Sequence, residues 1–379
     1  MRDTTPNFRN ALILTGGGTG GHFFPAIALG EGARGRWPER PICFVGARRG
    51  IEARELAGSS WPHLLLDVEG LVGRSPWRMA KSGWRLWRAV SHLKALWRKD
   101  RPWAVIGTGG YGAAPALLAA RALEIPYFLH ESNAAPGALV KQVARQARRV
   151  WCGMEAIRSL LPGADCRVVG TPVREAFLRD FLPAEALQPP FRLLVLGGSG
   201  GARAINEAML EVASVLLDQM PEWEILHQAG PAELERLKER PRHPRHAMGP
   251  FISRMDEVME SASLVVSRAG ASTCAELKAA GRGAILVPLP TSAGGHQRMN
   301  ALAMAAEGRA TVLDQEADLA LRLETALLPL LGDPHARHSL SMAPEPNRAV
   351  RLCLEDLANY IELITKPDGA AMKPAGMHR

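Results

Sequence analysis

The sequence predicts an α/β protein of two Rossmann-like halves, each with a parallel sheet, that face each other across a central cleft. Short apolar runs alternate with helix-like segments along the whole chain, which is typical of parallel sheets. A strand, a glycine-rich loop and a helix open each half, since residues 10–15 lead into Gly16–Gly21 and residues 191–196 lead into Gly197–Gly201. A length of 379 residues also exceeds one ordinary core and suggests two domains of roughly 150–200 residues.

The apolar runs place the elements in order along the chain. In the first half we expect strands at 11–15, 42–46, 63–67, 103–107, 125–129 and 149–152. In the second half we expect strands at 191–196, 223–227, 263–267, 284–288 and 310–313. Helices are predicted between them, at 25–35, 84–99, 203–219, 272–281, 297–307 and 315–331. The proline-bearing stretch 181–190 indicates the linker region.

Composition and charge narrow the class of protein. With 47% hydrophobic and 22% charged residues, the chain has the composition of a globular enzyme rather than of a disordered or fibrous protein. The net charge of +8 favours anionic partners, namely phosphate-bearing substrates, nucleic acid or an anionic membrane. Five scattered cysteines without a C-x-x-C pair argue against a disulfide framework or a structural zinc site and fit a reducing cytosol.

Hydropathy predicts no membrane-spanning segment. No window reaches the ~20 apolar residues that a spanning helix needs. The apolar run at 11–14 is too short for the core of a signal peptide. We therefore expect any contact with a membrane to be peripheral.

The first glycine loop, residues 16–22 (GGGTGGH), lies where backbone N–H groups at a helix start can bind phosphate. It also has the G-x-G-x-x-G spacing of a dinucleotide site, but the second predicted strand ends in residues 46–49 (GARR) with no acid for a ribose. An NAD(P) site and a tight turn without a ligand are the alternatives. No lysine follows either loop, which excludes a Walker A site. A further glycine loop at 107–112 suggests a ligand across the carboxyl edges of the sheets.

Polar residues at these edges are candidates for chemistry. A neutral imidazole at His22 could serve as a general base, and a structural histidine is the alternative. Residues 130–133 (HESN) add polar groups after another strand, but a single histidine there does not favour a metal site. In the second half Glu276 follows a strand and a loop, so it could accept hydrogen bonds from ribose hydroxyls or simply complement a helix dipole. Residues 294–301 (GGHQRMNA) form a loop suited to hydrogen-bonding sugar hydroxyls.

The usual metal clamp for a nucleotide-sugar diphosphate is missing, because the sequence contains no Asp-x-Asp. A leaving diphosphate would then be stabilised by helix N-termini, loop amides, Ser199 and arginines. We therefore expect no required cofactor and no protein-bound metal, although stimulation by a divalent metal stays open.

The segment 74–101 is both basic and aromatic. It carries nine Lys and Arg residues against the single acid Asp100, together with Trp77, Trp84, Trp87 and Trp97. Such a helix suits the surface of an anionic membrane. A basic helix with its tryptophans in the core is the alternative, and nucleic-acid binding is not favoured because no recognised motif accompanies the charge.

Taken in order, the motifs resemble those of the MurG glycosyltransferases from about residue 10 to about residue 360. The matching segments are GGTGGHFFPA at 17–26, GTGGY at 107–111, HESN at 130–133, GTPVR at 170–174, GGSGGA at 197–202, SRAGASTCAE at 267–276 and HQRMNA at 296–301. The chain departs from the family pattern at Gly200, where Gln is usual, at Thr171, where Asn is common, and at Gly294-Gly295, where acidic residues are usual.

The resemblance implies a GT-B fold and an inverting transfer of N-acetylglucosamine (GlcNAc) from UDP-GlcNAc to the MurNAc 4-hydroxyl of undecaprenyl-pyrophosphoryl-MurNAc-pentapeptide, which converts lipid I to lipid II. It implies an acceptor and membrane domain at 1–173, a UDP-GlcNAc domain at 174–345 and a helix at 346–365 that packs back onto the first domain. The composition of residues 366–379, rich in Gly, Pro and Ala, predicts a disordered tail. The resemblance implies a peripheral position on the cytoplasmic face of the inner membrane, reached through segment 74–101, with no nucleic-acid partner.

Position by position, the resemblance also implies site residues. For catalysis these are His22 as the base, aided by Glu131 and Asn133. For the acceptor they are Thr19, Gly20, Gly21 and Tyr111. For the donor they are Arg174, Ser199, Phe251, Ile252, Arg268, Ser272, Thr273, Glu276, His296, Gln297 and Asn300. The alternatives are a related transferase with another lipid acceptor and a non-catalytic binder of anionic glycolipid or nucleotide.

Overall fold

The structure is a computed structural model that describes residues 6–70, 76–198 and 200–365. The first half contains a sheet of seven parallel strands. These strands are β1 (Leu12–Thr15), β2 (Ile42–Ala47), β3 (His63–Leu66), β4 (Ala104–Gly107), β5 (Tyr127–Glu131), β6 (Arg149–Cys152) and β7 (Cys166–Val168). Its helices are α1 (Gly20–Arg36), α2 (Ile51–Leu56), α3 (Pro76–Lys99), α4 (Ala114–Ala122), α5 (Ala138–Val143) and α6 (Ala156–Leu160).

The second half contains a sheet of six parallel strands. These are β8 (Phe191–Leu196), β9 (Trp223–Gln228), β10 (His246–Gly249), β11 (Ala262–Ser267), β12 (Ala284–Leu286) and β13 (Ala310–Val312). The helices are α7 (Arg203–Gln219), α8 (Pro231–Leu237), α9 (Met255–Ser261), α10 (Ala271–Ala280), α11 (His296–Ala306), α12 (Leu319–Gly332), α13 (Pro334–His338) and α14 (Ala349–Thr365).

Strand order places a crevice at the same point of each sheet. The orders are β3-β2-β1-β4-β5-β6-β7 and β10-β9-β8-β11-β12-β13, so the winding reverses between β1 and β4 and between β8 and β11. In doubly wound sheets, ligands bind outside the carboxyl ends of the strands at this reversal. The two glycine-rich loops follow β1 and β8, which are the strands beside the reversal. The predicted fold class, two Rossmann-like halves, is confirmed.

The strands are apolar because both faces of each sheet are covered by helices. All four residues of β1 and all six of β11 are buried. Alternation of inward and outward residues is therefore absent, and continuous apolar runs marked these strands in the sequence. The prediction missed β7 and β10, which lie at the edges of their sheets and are less buried than the central strands: no residue of β7 and only His246 of β10 is buried.

The last helix of the chain packs on the first helix of the first half. Val350 and Leu354 of α14 lie against Gly32 of α1, where a side chain would collide with Val350. The indole nitrogen of Trp151 on β6 donates to Asp356 of α14 at 2.8 Å. Helix α14 thus belongs to the layer that covers the first sheet, although it follows the second sheet in the chain. The expected tail, 366–379, lies outside the described residues.

Two helices begin earlier than their patterns indicated. Helix α1 begins at Gly20, so His22 lies in its first turn instead of in the loop before it. Helix α3 begins at Pro76 and runs for 24 residues. Among the described helices, none is long and apolar enough to cross a membrane.

Candidate active site

A cavity of about 800 Å³ lies between the two halves, at the carboxyl edges of both sheets. Its walls come from the loops after β1, β8 and β11 and from the first turns of α1, α10 and α11. Most of the residues expected from the sequence line it. They are Thr19, Gly20, Gly21, His22, Asn133, Arg174, Phe251, Ile252, Arg268, Ser272, Thr273, Glu276, His296 and Gln297.

Glu131 does not line the cavity. Its carboxylate is buried, and it accepts hydrogen bonds from the backbone N–H groups of Asn133 and Gly137 and from the side-chain amide of Asn133. A direct catalytic part for Glu131 does not fit this placement, because the carboxylate lies outside the cavity lining and three hydrogen bonds hold it inside the protein. It holds the 131–137 loop and orients Asn133, which does face the cavity.

Asn300 and Tyr111 also lie away from the cavity wall. Asn300 is fully buried, and its amide donates to the Ala269 carbonyl at 3.0 Å. The hydroxyl of Tyr111 donates to the Arg49 carbonyl at 2.9 Å. Both side chains shape neighbouring loops in this structure instead of meeting a sugar or a phosphate directly. Ser199, the expected diphosphate contact, lies outside the described residues.

His22 is held against the loop after β4. Its Nδ1 lies 2.9 Å from the Thr108 carbonyl oxygen, and the Thr108 hydroxyl donates back to the His22 carbonyl at 2.6 Å. Because a carbonyl can only accept, Nδ1 carries a proton, and in the neutral imidazole the lone pair is then on Nε2. The ring is therefore fixed in the tautomer that a general base requires.

The first glycine loop is held from below by Glu52, a residue that the sequence analysis missed. Its carboxylate is 1% exposed and accepts from the Gly18 N–H at 2.9 and 3.1 Å and from the Ala47 N–H at 3.2 Å. Residues 46–49 contain no acid, but α2 follows directly and brings Glu52 beneath the loop. This carboxylate serves the loop rather than a ribose, which further disfavours a dinucleotide site.

The second glycine loop is held by Gln228, at the end of β9. Its side-chain amide donates to the Gly198 carbonyl at 3.0 Å, and its oxygen accepts from the Ile252 N–H at 3.1 Å. One neutral side chain thus joins the expected diphosphate loop to the segment expected to frame the uracil. Gly200 lies in this loop with nothing within 4 Å of where a Cβ would stand, so the first side-chain carbon of another residue would meet no neighbour here.

Two of the expected donor contacts form an ion pair with each other. The guanidinium of Arg174 lies 2.9 Å from the carboxylate of Glu276, and both side chains are largely buried. The same guanidinium stacks 4.6 Å from the ring of Phe24, and its Nε is buried without a hydrogen-bond partner. Because this Nε has almost no exposed surface, a ligand in the cavity could reach it only after a rearrangement of the wall.

Arg268 is used mainly within the protein. It donates to the carbonyls of Val287 and Pro288 and to the side chain of Gln315. Burial lowers the pKa of its guanidinium from the usual value of 12.5. The residue therefore supports the wall of the cavity and presents limited hydrogen-bonding capacity to a ligand.

The two halves touch across the cavity. The Ser272 hydroxyl lies 3.5 Å from the Gly21 carbonyl, and Arg54 stacks 4.8 Å from the ring of Phe251. A Cβ at Gly294 would stand 3.2 Å from that of Ala135, so the glycine at this family departure permits a close approach of the two halves. Contacts of this kind depend on the relative position of the halves, and sequence spacing carries no signal for them.

Other lining residues were also missed by the sequence analysis: Phe24, Arg203, Met255 and Gln315. Of these, Arg203 could have been found, because it opens the helix directly after the second glycine loop. Among the described residues, no group of three or more His, Cys, Asp or Glu is placed to hold a metal. The absence of a metal requirement stays a prediction.

Comparisons with known proteins agree with this geometry. The family described as "Glycosyltransferase family 28 N-terminal domain" matches residues 12–152, and its C-terminal counterpart matches residues 192–352. A relative from Syntrophotalea carbinolica is 40% identical over 352 residues, which cover 90% of this chain and 98% of the relative. It is named UDP-N-acetylglucosamine--N-acetylmuramyl-(pentapeptide) pyrophosphoryl-undecaprenol N-acetylglucosamine transferase. The chain belongs to the MurG family of glycosyltransferases.

Other similar proteins support membership of the MurG family. A relative with the same name from Acidithiobacillus ferrooxidans is 37% identical over 86% of this chain and 91% of its own. The crystal structure of Acinetobacter baumannii MurG is 28% identical, with a TM-score of 0.65 over 92% of this chain and 99% of that one. The S. aureus MnaA–UDP co-structure, 14% identical with a TM-score of 0.67 over 94% of this chain and 98% of its own, shares the fold alone. The predicted family is confirmed, and the chain is a glycosyltransferase.

Proposed function

We propose that this chain transfers GlcNAc from UDP-GlcNAc to the MurNAc 4-hydroxyl of undecaprenyl-pyrophosphoryl-MurNAc-pentapeptide, converting lipid I to lipid II. The observation that carries the proposal is the cavity itself. His22, in the tautomer of a base, lines it from the first half, and the expected donor contacts line it from the second. The relatives named for this transfer are aligned over nearly their whole length.

His22 takes the part of the general base in the proposed reaction. Its Nε2 accepts the proton of the acceptor hydroxyl, whose oxygen forms a bond to C1 of the donor sugar. The bond from C1 to the β-phosphate oxygen breaks, its electron pair leaves with UDP, and the configuration at C1 inverts. Asn133, held by Glu131, is placed to orient the acceptor from the same edge of the first sheet.

The second half takes the part of the donor site. Helix α7 begins directly after the second glycine loop and has 17 residues, so its N-terminal N–H groups can stabilise the developing negative charge on the diphosphate. Glu276 accepts hydrogen bonds from the ribose, which leaves Arg174 to bind a diphosphate oxygen. Phe251 and the backbone of Ile252 frame the uracil.

The proposal is tested with purified protein, a panel of UDP-sugars and a lipid I analogue, while UDP release and product mass are followed. We expect UDP release that depends on acceptor, and a product heavier by one N-acetylhexosamine with UDP-GlcNAc. A preference for another sugar would contradict the proposed donor. Release of UDP without a change in acceptor mass would contradict the proposed acceptor.

We further propose that the chain docks peripherally on the cytoplasmic face of the inner membrane through one face of α3. Trp77, Trp84 and Trp87 are 87%, 55% and 66% exposed, whereas Trp97 is fully buried in the core of the first half. Spacings of seven and three residues place the exposed rings on one side of the helix. Arg88, which stacks 4.7 Å from Trp84, adds positive charge there.

Binding to anionic vesicles tests this face. Replacing Trp84 and Trp87 with serine should reduce binding at moderate salt, because the rings lose their apolar contact with lipid. Leu321→Ser is the matched control, since Leu321 is 64% exposed on α12 of the second half. Equal binding of the double variant and the control would contradict the membrane face. Competition by duplex DNA would contradict the expectation of no nucleic-acid partner.

A further inference from the structure

The space around the Glu52 carboxylate is formed by glycines. A Cβ at Gly17 would overlap the carboxylate, a Cβ at Gly112 would stand 2.7 Å from Oε1, and one at Gly50 would stand 2.8 Å from Oε2. These three glycines come from three separate segments of the chain, after β1, after β2 and after β4. Glycine at 17 is therefore explained by an internal carboxylate.

This carboxylate holds the residues that lead directly to His22. Gly18, whose N–H it binds through both oxygens, precedes Thr19, and the N–H of His22 donates to the Thr19 carbonyl at 3.2 Å. The N–H of Gly17 donates in turn to Gly109 in the loop that holds the ring of His22. Glu52 is thus connected to the imidazole of His22 through a short series of hydrogen bonds and backbone links.

The charge of the carboxylate also limits where an anion can lie. The Gly18 N–H is already used, and a diphosphate beside Gly17 and Gly18 would meet a buried negative charge. The N-terminal N–H groups of α1, from Thr19 onward, remain as the part of the loop suited to an anion.

We propose that Glu52 is a positioning residue of the transferase: its buried carboxylate sets the first glycine loop, and thereby His22, relative to the acceptor. The inference rests on the proposed function. It assigns no contact between Glu52 and substrate. Loss of the carboxylate should displace the base and slow transfer, while the donor site in the other half stays intact.

Glu52→Gln tests the proposal, because it keeps the shape of the side chain and places an NH₂ group against an N–H donor. We expect kcat to fall about 10²-fold, as a displacement near 1 Å can cause, with the Kd for UDP within about twofold of wild type because the donor site does not contact Glu52. Hydrogen exchange in the peptide covering residues 16–22 should become about tenfold faster, which corresponds to losing about one hydrogen bond. Glu39→Gln, an exposed glutamate of the same half, is the matched control.

Gly112→Ala approaches the same carboxylate from its other side and should reproduce the fall in kcat, because the added methyl displaces Oε1. Gly35→Ala is its control, since nothing lies within 4 Å of a Cβ there. Unchanged exchange or unchanged kcat in Glu52→Gln would overturn the proposal. A parallel loss of UDP binding and thermal stability would overturn it too, because general destabilisation would then explain the effect.

The exchange measurement needs no substrate, so it separates this inference from the proposed function. A wild-type protein without transferase activity would contradict the function. Faster exchange in Glu52→Gln would still support the control of the loop by Glu52.

Discussion

Behind the first glycine loop lies a carboxylate, and behind the second lies an amide. Glu52 accepts from the Gly18 N–H, whereas Gln228 donates to the Gly198 carbonyl. The first arrangement uses an N–H group of the loop and adds negative charge, while the second uses a carbonyl and adds none. In the proposed function, loops with nearly the same sequence would therefore serve different partners: the first a hydroxyl and its base, the second a diphosphate.

His22→Ala should have the largest effect and separates chemistry from binding. Turnover should fall by roughly 10²–10⁴, because the proton of the hydroxyl loses its acceptor. The Kd for UDP, measured by calorimetry, should change little, since the second loop is untouched. His335→Ala, an exposed histidine on α13, is the control. Turnover like that of wild type would remove His22 from the mechanism and with it the difference between the loops.

Gln228→Glu places a carboxylate behind the second loop, as Glu52 does behind the first. We expect the Kd for UDP to rise about 10²-fold, because a carboxylate would face both the Gly198 carbonyl and the bound diphosphate, and such like-charge placement costs several kcal/mol. Gln228→Ala should raise it less, since only neutral hydrogen bonds of about 1 kcal/mol each are lost. Gln219→Glu, exposed at the end of α7, is the control. Equal effects of the Glu and Ala variants would refute the charge argument.

Glu276→Ala tests whether the Glu276 carboxylate, which is proposed to bind the ribose, serves the donor site alone. Donor affinity should fall about 10-fold, which is the lower range for hydrogen bonds to a charged group. Binding of a lipid I analogue without donor should not change, because Glu276 is expected to contact the donor and not the acceptor. Glu316→Ala, an exposed glutamate of the same half, controls for the loss of a charge. Unchanged donor affinity would remove the ribose contact.

The sequence was sufficient for the elements whose signal is local. Continuous apolar runs marked the buried strands, and α7 was predicted at its observed bounds, residues 203–219. The motifs that carry the family resemblance located most of the cavity wall. Edge strands β7 and β10 were missed because they are less buried than the central strands, so their runs are weakly apolar.

Residues whose role depends on tertiary contacts could not be predicted in this way. In the sequence Glu52 is one acid between two predicted strands. It binds the Gly18 N–H only because α2 packs under the first glycine loop. Gln228 reads as the end of a strand until the segment containing Ile252 folds against it. Conversely, Glu131 and Asn300 lie in motifs that match the family, but their side chains point into the protein interior. They do so because buried backbone groups there need hydrogen-bond partners.

The smallest effect we expect is an unequal response of the two halves to acid. Near the second loop, His227 and His246 stack on each other, and His227 also contacts Asn206 of α7 at 3.0 Å. Burial lowers the pKa of His227 to about 3 and that of His246 to about 4. The first half has one comparable histidine, His130, whose pKa burial lowers to about 4.

Because these folded-state pKa values lie below the unfolded value near 6.5, the unfolded chain binds more protons as the pH falls below 6.5, and stability is lost until the folded pKa is reached. At pH 5.5 each histidine costs about 1.4 kcal/mol. The second half has two such histidines and the first half has one, so the free energy of unfolding of the second half should fall by about 1.4 kcal/mol more. Hydrogen exchange at pH 7.5 and 5.5, corrected for the intrinsic rate, measures the loss of stability of both halves in one experiment. Equal losses would mean that the histidines behind the second loop are not held neutral by burial.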